Sequence, residues 1–148
     1  MKAREYLFQL KRLEHTIQWY SEESARIRGI LLPKGITYDG DKVQTSVSDR
    51  VTEDIAKLID IDNKYMKMIR IYHEKRNLII TQINGLPNQN HVDLLVKVYL
   101  NNKPLEIVGD EMGYSYDWVR HMHTDALKDF ERQYSDILKD NTKKHIWT

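Results

Sequence analysis

The sequence contains no cysteine, which removes disulfides, thiolate nucleophiles and cysteine-based zinc sites together. Proline occurs three times and glycine six, and so few breakers over 148 residues favour long helices. Phenylalanine occurs twice, and the apolar set is mainly Leu, Ile, Val and Tyr. No apolar run approaches membrane-spanning length, and the first residues lack a signal-like apolar stretch. The chain is therefore expected to be cytoplasmic, with no membrane partner. Also missing are a glycine-rich phosphate loop, a nucleophile elbow and paired carboxylates in a cleft-forming context. No catalytic residue and no cofactor is expected, and the protein reads as a non-enzyme.

What is present is charge. It makes up 30% of the residues, and the mean hydropathy is −0.65. The net +1 hides an asymmetry. Residues 1–85 carry 15 Lys/Arg against 12 Asp/Glu, residues 86–134 carry 5 against 8, and residues 135–148 carry 3 against 2. A nucleic-acid binder usually shows a basic footprint, so the net −3 of the 86–134 block weighs against that class of function.

The pattern along the chain predicts an all-α fold. Apolar or small residues at Ala3, Tyr6, Leu10, Leu13, Ile17, Tyr20, Ser24, Ile27 and Leu31 alternate in steps of three and four, the seam of a coiled coil. This helix is expected over about 2–31, ending before Pro33 and Gly35. A second seam follows Ser48, read as an N-cap, over about 49–84. It runs through Val51, Ile55, Leu58, Asp62, Tyr65, Ile69, Tyr72, Arg76, Ile79, Ile83 and Leu86. Two such seams joined by a connector, 32–48, predict a long antiparallel helical (coiled-coil) hairpin over 1–85. In the simplest register Ile27 lies near Val51 and Ala3 near Arg76, so Ile79, Ile83 and Leu86 overhang onto the following domain. The outer flank, Ile59, Met66 and Ile80, stays uncovered, which predicts a homodimer. Asp39-Gly40 in the connector reads as a turn rather than half of a metal or acid pair.

A small C-terminal domain over 86–134 follows, with a tail over 135–148. Val92, Leu95, Val96 and Tyr99 share one face of its first helix, Asn101 and Asn102 end it, and Pro104 opens the next. Leu105, Val108 and Met112 then line a short helix, Gly113 supplies a turn, Tyr114 plugs the angle and Ser115 caps a second helix with Val119 and Met122 inward. Helices that cross closely need a small residue four positions before the turn glycine, and Gly109 stands there. This is a helix-turn-helix pattern. Its outward residues, Ser115, Tyr116, Asp117, Arg120, His121 and Thr124, occupy the half of the helix that enters a major groove. Arg reads guanine, while hydroxyls contact phosphates or base edges. Lys103 and Lys128 flank the face as phosphate contacts, and Lys64, Lys67, Arg70 and Lys75 of the hairpin are further candidates. His121 and His123 project roughly 200° apart on a helix, so one metal cannot easily take both. They read as groove-facing or surface histidines, with no metal site.

The stretch "LLVKVYLNNKPLEIVGDEMGYSYDWVRHMHTDALKDF" resembles the region-4 helix-turn-helix of bacterial sigma factors, with Val119-Arg120 and Ala126-Leu127 on its pattern. Gly109 stands where that pattern has Ala, and Asp117 adds a negative charge to the groove face. With its leading helix, "YDGDKVQTS" connector and long middle helix, the chain is similar to phage and prophage transcriptional regulators of the RinA/ArpU-like late-gene activator group. The resemblance implies a sequence-specific regulator that binds double-stranded DNA and uses its hairpin to dimerise or to contact RNA polymerase. Two other expectations stand beside it: a small-terminase-like DNA-packaging protein, and a sigma-like interaction module that does not itself bind DNA.

Overall fold

The computed structural model describes residues 1–36 and 45–143, and over these the chain is all-helical, with no strand among the described residues. The helices are α1 (Ala3–Ile36), α2 (Thr45–Asn84), α3 (Gln89–Leu95), α4 (Leu105–Met112), α5 (Tyr116–Gln133) and α6 (Ser135–Lys143). None of the described helices is long and apolar enough to cross a membrane. The Asp39-Gly40 turn and residues 144–148 lie outside the described residues.

Several boundaries differ from those read in the sequence. α1 continues past Pro33 to Ile36, and α2 already begins at Thr45, so Ser48 sits inside α2 rather than capping it. The expected tail is helical to Lys143, because Leu138 on α6 is buried and gives that helix an apolar anchor.

The chain forms two compact units, Leu13–Tyr72 and Met1–Arg12 with His73–Thr148, so the division falls within α1 and within α2 rather than at residue 85. In the unit of residues 13–72, the Tyr72 hydroxyl donates to Glu14 Oε1 at 2.7 Å and the Ser24 hydroxyl to Asp62 Oδ1 at 2.7 Å. Arg28 reaches the other Asp62 oxygen at 2.6 Å. Positions that rise in α1 while falling in α2 mean that the two segments run antiparallel. Asp62, one of the α2 seam positions, bonds across the pair to both Ser24 and Arg28. The register differs, however, because Ser24 meets Asp62 about one heptad beyond the expected point. A seam that repeats every seven residues matches itself again after such a slide, so its pattern alone does not choose.

The α1 seam is buried or half-buried throughout, but the α2 stripe is broader than expected. Ile61 and Met68 share the inner side with Asp62 and Ile69, whereas Ile55 points out and is 44% exposed.

The other unit has a closed core. Ala3, Tyr6, Leu7 and Leu10 of α1 are buried there, as are Ile79, Ile83 and Leu86. The end of α2 is thus not an overhang, since the Tyr6 hydroxyl donates to Gln82 Oε1 at 2.7 Å. The Ala3 amide donates to Glu131 Oε1 at 3.1 Å, satisfying one of the unpaired groups at the start of α1. Lys75, a candidate phosphate contact in the sequence, lies half-buried with Nζ 4.8 Å from the centre of the Tyr6 ring. Burial holds its pKa below the ordinary lysine value.

Candidate functional site

The candidate site is α5 and the elements that orient it. α3 is capped by Asn88, whose side chain accepts from the Asn90 amide at 3.0 Å. It runs directly into a π-helical turn, Val96–Leu100. Val92, Leu94, Leu95, Tyr99 and Leu100 are buried along this continuous rod, so it presents more than the one apolar face read from the sequence. Asn102, at φ 54, ends it in the left-handed region that Asn tolerates.

Pro104 supplies the extended residue before α4, and its carbonyl accepts from the Val108 amide at 3.1 Å. Gly113 terminates α4 at φ 77, a backbone conformation that costs a glycine little. The chain then turns through Tyr114 and Ser115, and the Ser115 hydroxyl oxygen accepts from the Trp118 amide at 3.2 Å to cap α5. At Gly109, α4 lies close against the turn and the start of α5. A Cβ there would stand 2.9 Å from the Tyr114 carbonyl oxygen and 3.3 Å from Val119 Cγ2. Val108, Val119, Met122, Ala126 and Phe130 close the core beneath. Tyr114 does not plug the angle: its ring is exposed and lies 6.3 Å from that of Trp118, while its backbone carbonyl occupies the crossing. Leu105 and Met112 are only half-buried.

Most of the residues singled out in the sequence lie together on the outside of α5. Tyr116, Asp117, Arg120, His121, Thr124 and Lys128 are all exposed, at spacings that make one stripe. Asp117 and Arg120 approach to 3.6 Å, with both side chains largely in water, so their mutual attraction is weak. The Thr124 hydroxyl donates back to the Arg120 carbonyl at 3.3 Å. Ser115 is committed to its cap. Lys103 is also engaged: it and Lys97 grip Glu111 at 2.6 and 2.7 Å, and these two hydrogen bonds hold the Glu111 carboxyl below its ordinary range.

The two histidines part company. His121 is exposed on the stripe, whereas His123 turns inward and shares a 2.8 Å hydrogen bond with the Tyr99 hydroxyl, the rings stacked at 5.7 Å. His123 is therefore not a groove-facing residue. Burial lowers its pKa, with a smaller push from Arg4, and burial raises Tyr99 to about 12. Among the described residues, no cluster of three His, Asp or Glu is placed to hold a metal ion.

Trp118 was missed by sequence reasoning. It is 57% exposed, beside the expected stripe. With His121, Met122 and Asp125 it walls a cleft of about 230 Å³ whose other side is Asn88, Asn90 and His91. His91 in turn contacts Asp129 at 3.1 Å and ties α3 to α5. The signal was available: position 118 precedes the inward Val119, so a helical wheel sets its ring on the flank. Chemically, the face offers a guanidinium, an ammonium, an imidazole, hydroxyls and two carboxylates, Asp117 and Asp125, on a convex helix, with an aromatic cleft along one edge. Comparison with protein-family models, with curated proteins and with solved structures finds no match for this chain.

Proposed function

We propose that the protein is a sequence-specific DNA-binding regulator of transcription, with α4 and α5 as a helix-turn-helix and α5 as the helix that enters the major groove. One observation carries this reading. The exposed stripe of Tyr116, Asp117, Arg120, His121, Thr124 and Lys128 starts at the capped end of α5, and the Gly109 approach and the left-handed Gly113 fix that helix against α4. A recognition helix needs this combination of an outward polar face at its N-terminal half and a rigid crossing behind it. Arg120 is the candidate base reader and Lys128 the candidate phosphate contact. Lys103, held by Glu111, contributes less. Because the 86–134 block is net negative, this domain alone is expected to bind phosphate weakly.

A second reading, an interaction module that binds a protein partner, is favoured by one feature of the same face. Tyr114, Tyr116 and Trp118 are exposed aromatic groups around the start of α5, and aromatics of this kind anchor protein interfaces.

The test is recovery of bound DNA from a genomic pool, followed by gel shifts at two salt concentrations. Arg120→Ala weakens the recovered site by about 1–3 kcal/mol and relaxes its specificity. Lys128→Ala weakens all sequences alike and reduces the salt slope by about one. Asp117→Ala loses specificity if the carboxylate accepts from a cytosine amino group, and tightens binding everywhere if it only repels phosphate. Full affinity and specificity in both the Arg120 and Lys128 variants would remove the groove-reading role and leave the interaction module as the better account.

A further inference from the structure

Of the five cations in the 86–134 block, Lys97 and Lys103 are held by Glu111, and Arg120 stands beside Asp117. The same compact unit contains residues 1–12, the start of α1, which carry four Lys/Arg against one Asp/Glu. Burial sorts this part of α1 into two sides. Ala3, Tyr6, Leu7, Gln9 and Leu10 turn into the core, while Arg4, Phe8, Lys11 and Arg12 are exposed. Arg4, Phe8 and Lys11 stand four and three positions apart, so they share one face. Lys11 Nζ lies 5.6 Å and the Arg12 guanidinium 5.7 Å from the centre of the Phe8 ring, which holds both cations at the surface. Glu5 follows Arg4 by about 100° round the helix and so leaves this face. Neither Arg4 nor Lys11 forms a salt bridge with a described residue.

This basic face borders the α5 stripe. The Ala3 amide bonds Glu131 at 3.1 Å and the Tyr6 ring lies 5.8 Å from that of Phe130, so the first turns of α1 rest on α5. Burial, and after it the charge of Arg4, lowers the His123 pKa, which sets Arg4 near the His123 side of α5. That side is about 60° round the helix from Arg120 and turned away from Trp118. The stripe thus has the Trp118 cleft along one edge and Arg4 along the other.

We propose that Arg4 and Lys11, with Arg12 beside them, hold the phosphate backbone of the duplex whose major groove α5 enters. The proposal rests on the DNA reading of α5. Seven residues of helix span roughly 10 Å, which matches about three phosphates of one strand at roughly 3.4 Å of duplex axis each. An anionic membrane fits the face less well, because a helix lying in a membrane surface needs a broad apolar side outward. Here Phe8 alone of the large apolar side chains in residues 1–12 is exposed. Phosphate contacts carry no sequence information, so this face adds affinity without adding specificity.

The experiment is a salt series of gel shifts with the full chain, on the recovered site and on a random duplex, with circular dichroism to confirm folding. Arg4→Gln with Lys11→Gln in one chain weakens both duplexes alike, about tenfold at low salt, and flattens the salt slope by about two. Arg4→Lys with Lys11→Arg restores both. Arg50→Gln with Lys57→Gln, an equal change of charge at exposed positions of α2, leaves the slope as it was. An unchanged slope in the Arg4 and Lys11 chain, while Arg120→Ala still relaxes specificity, overturns this proposal and leaves the groove-reading role intact. An equal fall in the Arg50 and Lys57 chain also overturns it, since net charge alone would then account for the loss. Full binding in Arg120→Ala and Lys128→Ala beside a flattened slope here supports the phosphate contact and removes only the groove-reading role of α5. A wild type that binds no duplex removes the DNA reading and this proposal with it.

Discussion

α1 and α2 each serve two units and behave differently in each. In the unit of residues 1–12 and 73–148 they supply Tyr6, Leu7, Leu10, Ile79 and Ile83, none with more than a trace of exposed surface. There, α3, α5 and α6 provide further layers, and even the polar Gln82 is buried with both its side chain and its carbonyl bonded, to Tyr6 and Tyr134. In the unit of residues 13–72 the same two helices fully bury only Leu13, Ser24 and Ile27 among the described side chains. Two helices share a single contact line, and a line cannot enclose a residue on every side. Burial comes from the number of layers as much as from the apolarity of the helix.

The comparison can be broken most sharply at Phe130, which is fully buried and packs on Tyr6 and Tyr134 with ring centres 5.8 and 4.8 Å away. Phe130→Ala should cost about 3–5 kcal/mol in chemical denaturation. A cost below 1 kcal/mol would mean that the layered core is no better packed than the helix pair. Gly109→Ala comes next. Its methyl group meets the Tyr114 carbonyl, which is backbone and yields little, so a loss of about 1–3 kcal/mol is expected in the same assay. An unchanged midpoint would show that the crossing of α4 and α5 is looser than described.

In the two-helix unit Asp62 bonds both Ser24 and Arg28, yet about a third of its side chain is in water. Asp62→Ala is therefore expected to lower stability by no more than about 1 kcal/mol, and to do so less at high salt. A loss like that of Phe130→Ala would equate the two units after all. The smallest effect is one of pH. His123 is held below the ordinary histidine value of 6.5, so the unfolded chain binds its proton first as pH falls. Its contribution to stability is complete above that value and is lost as pH drops through the lowered folded pKa. Urea midpoints at about pH 7.5 and about pH 5.5 should differ less in His123→Gln than in wild type. An equal difference would show that His123 is not the group responsible.

Local backbone chemistry was legible around α4 and α5, though not at Pro33, Gly35 or Ser48, which the two long helices run through. Gly113, Ser115, Pro104 and the Asn101-Asn102 pair stop and start helices by their own conformational limits, and the helices break where they stand. The α1 seam could be read because its inner residues are apolar or small without interruption. The α2 seam could not, since apolar residues lie on both sides of its every-seventh positions and only contact with α1 decides that Ile61 turns in and Ile55 out. Register was illegible for the same reason of repetition. At the candidate site, the outward stripe followed from helical period, but the inward turn of His123 depends on Tyr99, which is brought beside it by α3 and its π-helical turn. The engagement of Lys103 by Glu111 likewise joins residues whose nearness only the turn between two helices creates.

The bond from Ala3 to Glu131 spans 128 positions, and it has a consequence in time. A ribosome releases the first twelve residues long before Phe130 and Glu131 exist, so Tyr6 and Leu7 wait with their apolar surfaces open while most of the chain is made. The helix pair of residues 13–72 is complete much earlier and is built from nearby contacts, which form fast. Formation of that pair carries α1 and α2 into antiparallel order and shortens the loop that must still be closed to bring Tyr6 to Gln82, lowering its entropic cost. The thinly packed middle of the chain would thus act first, as the splint on which the densely packed unit is later assembled.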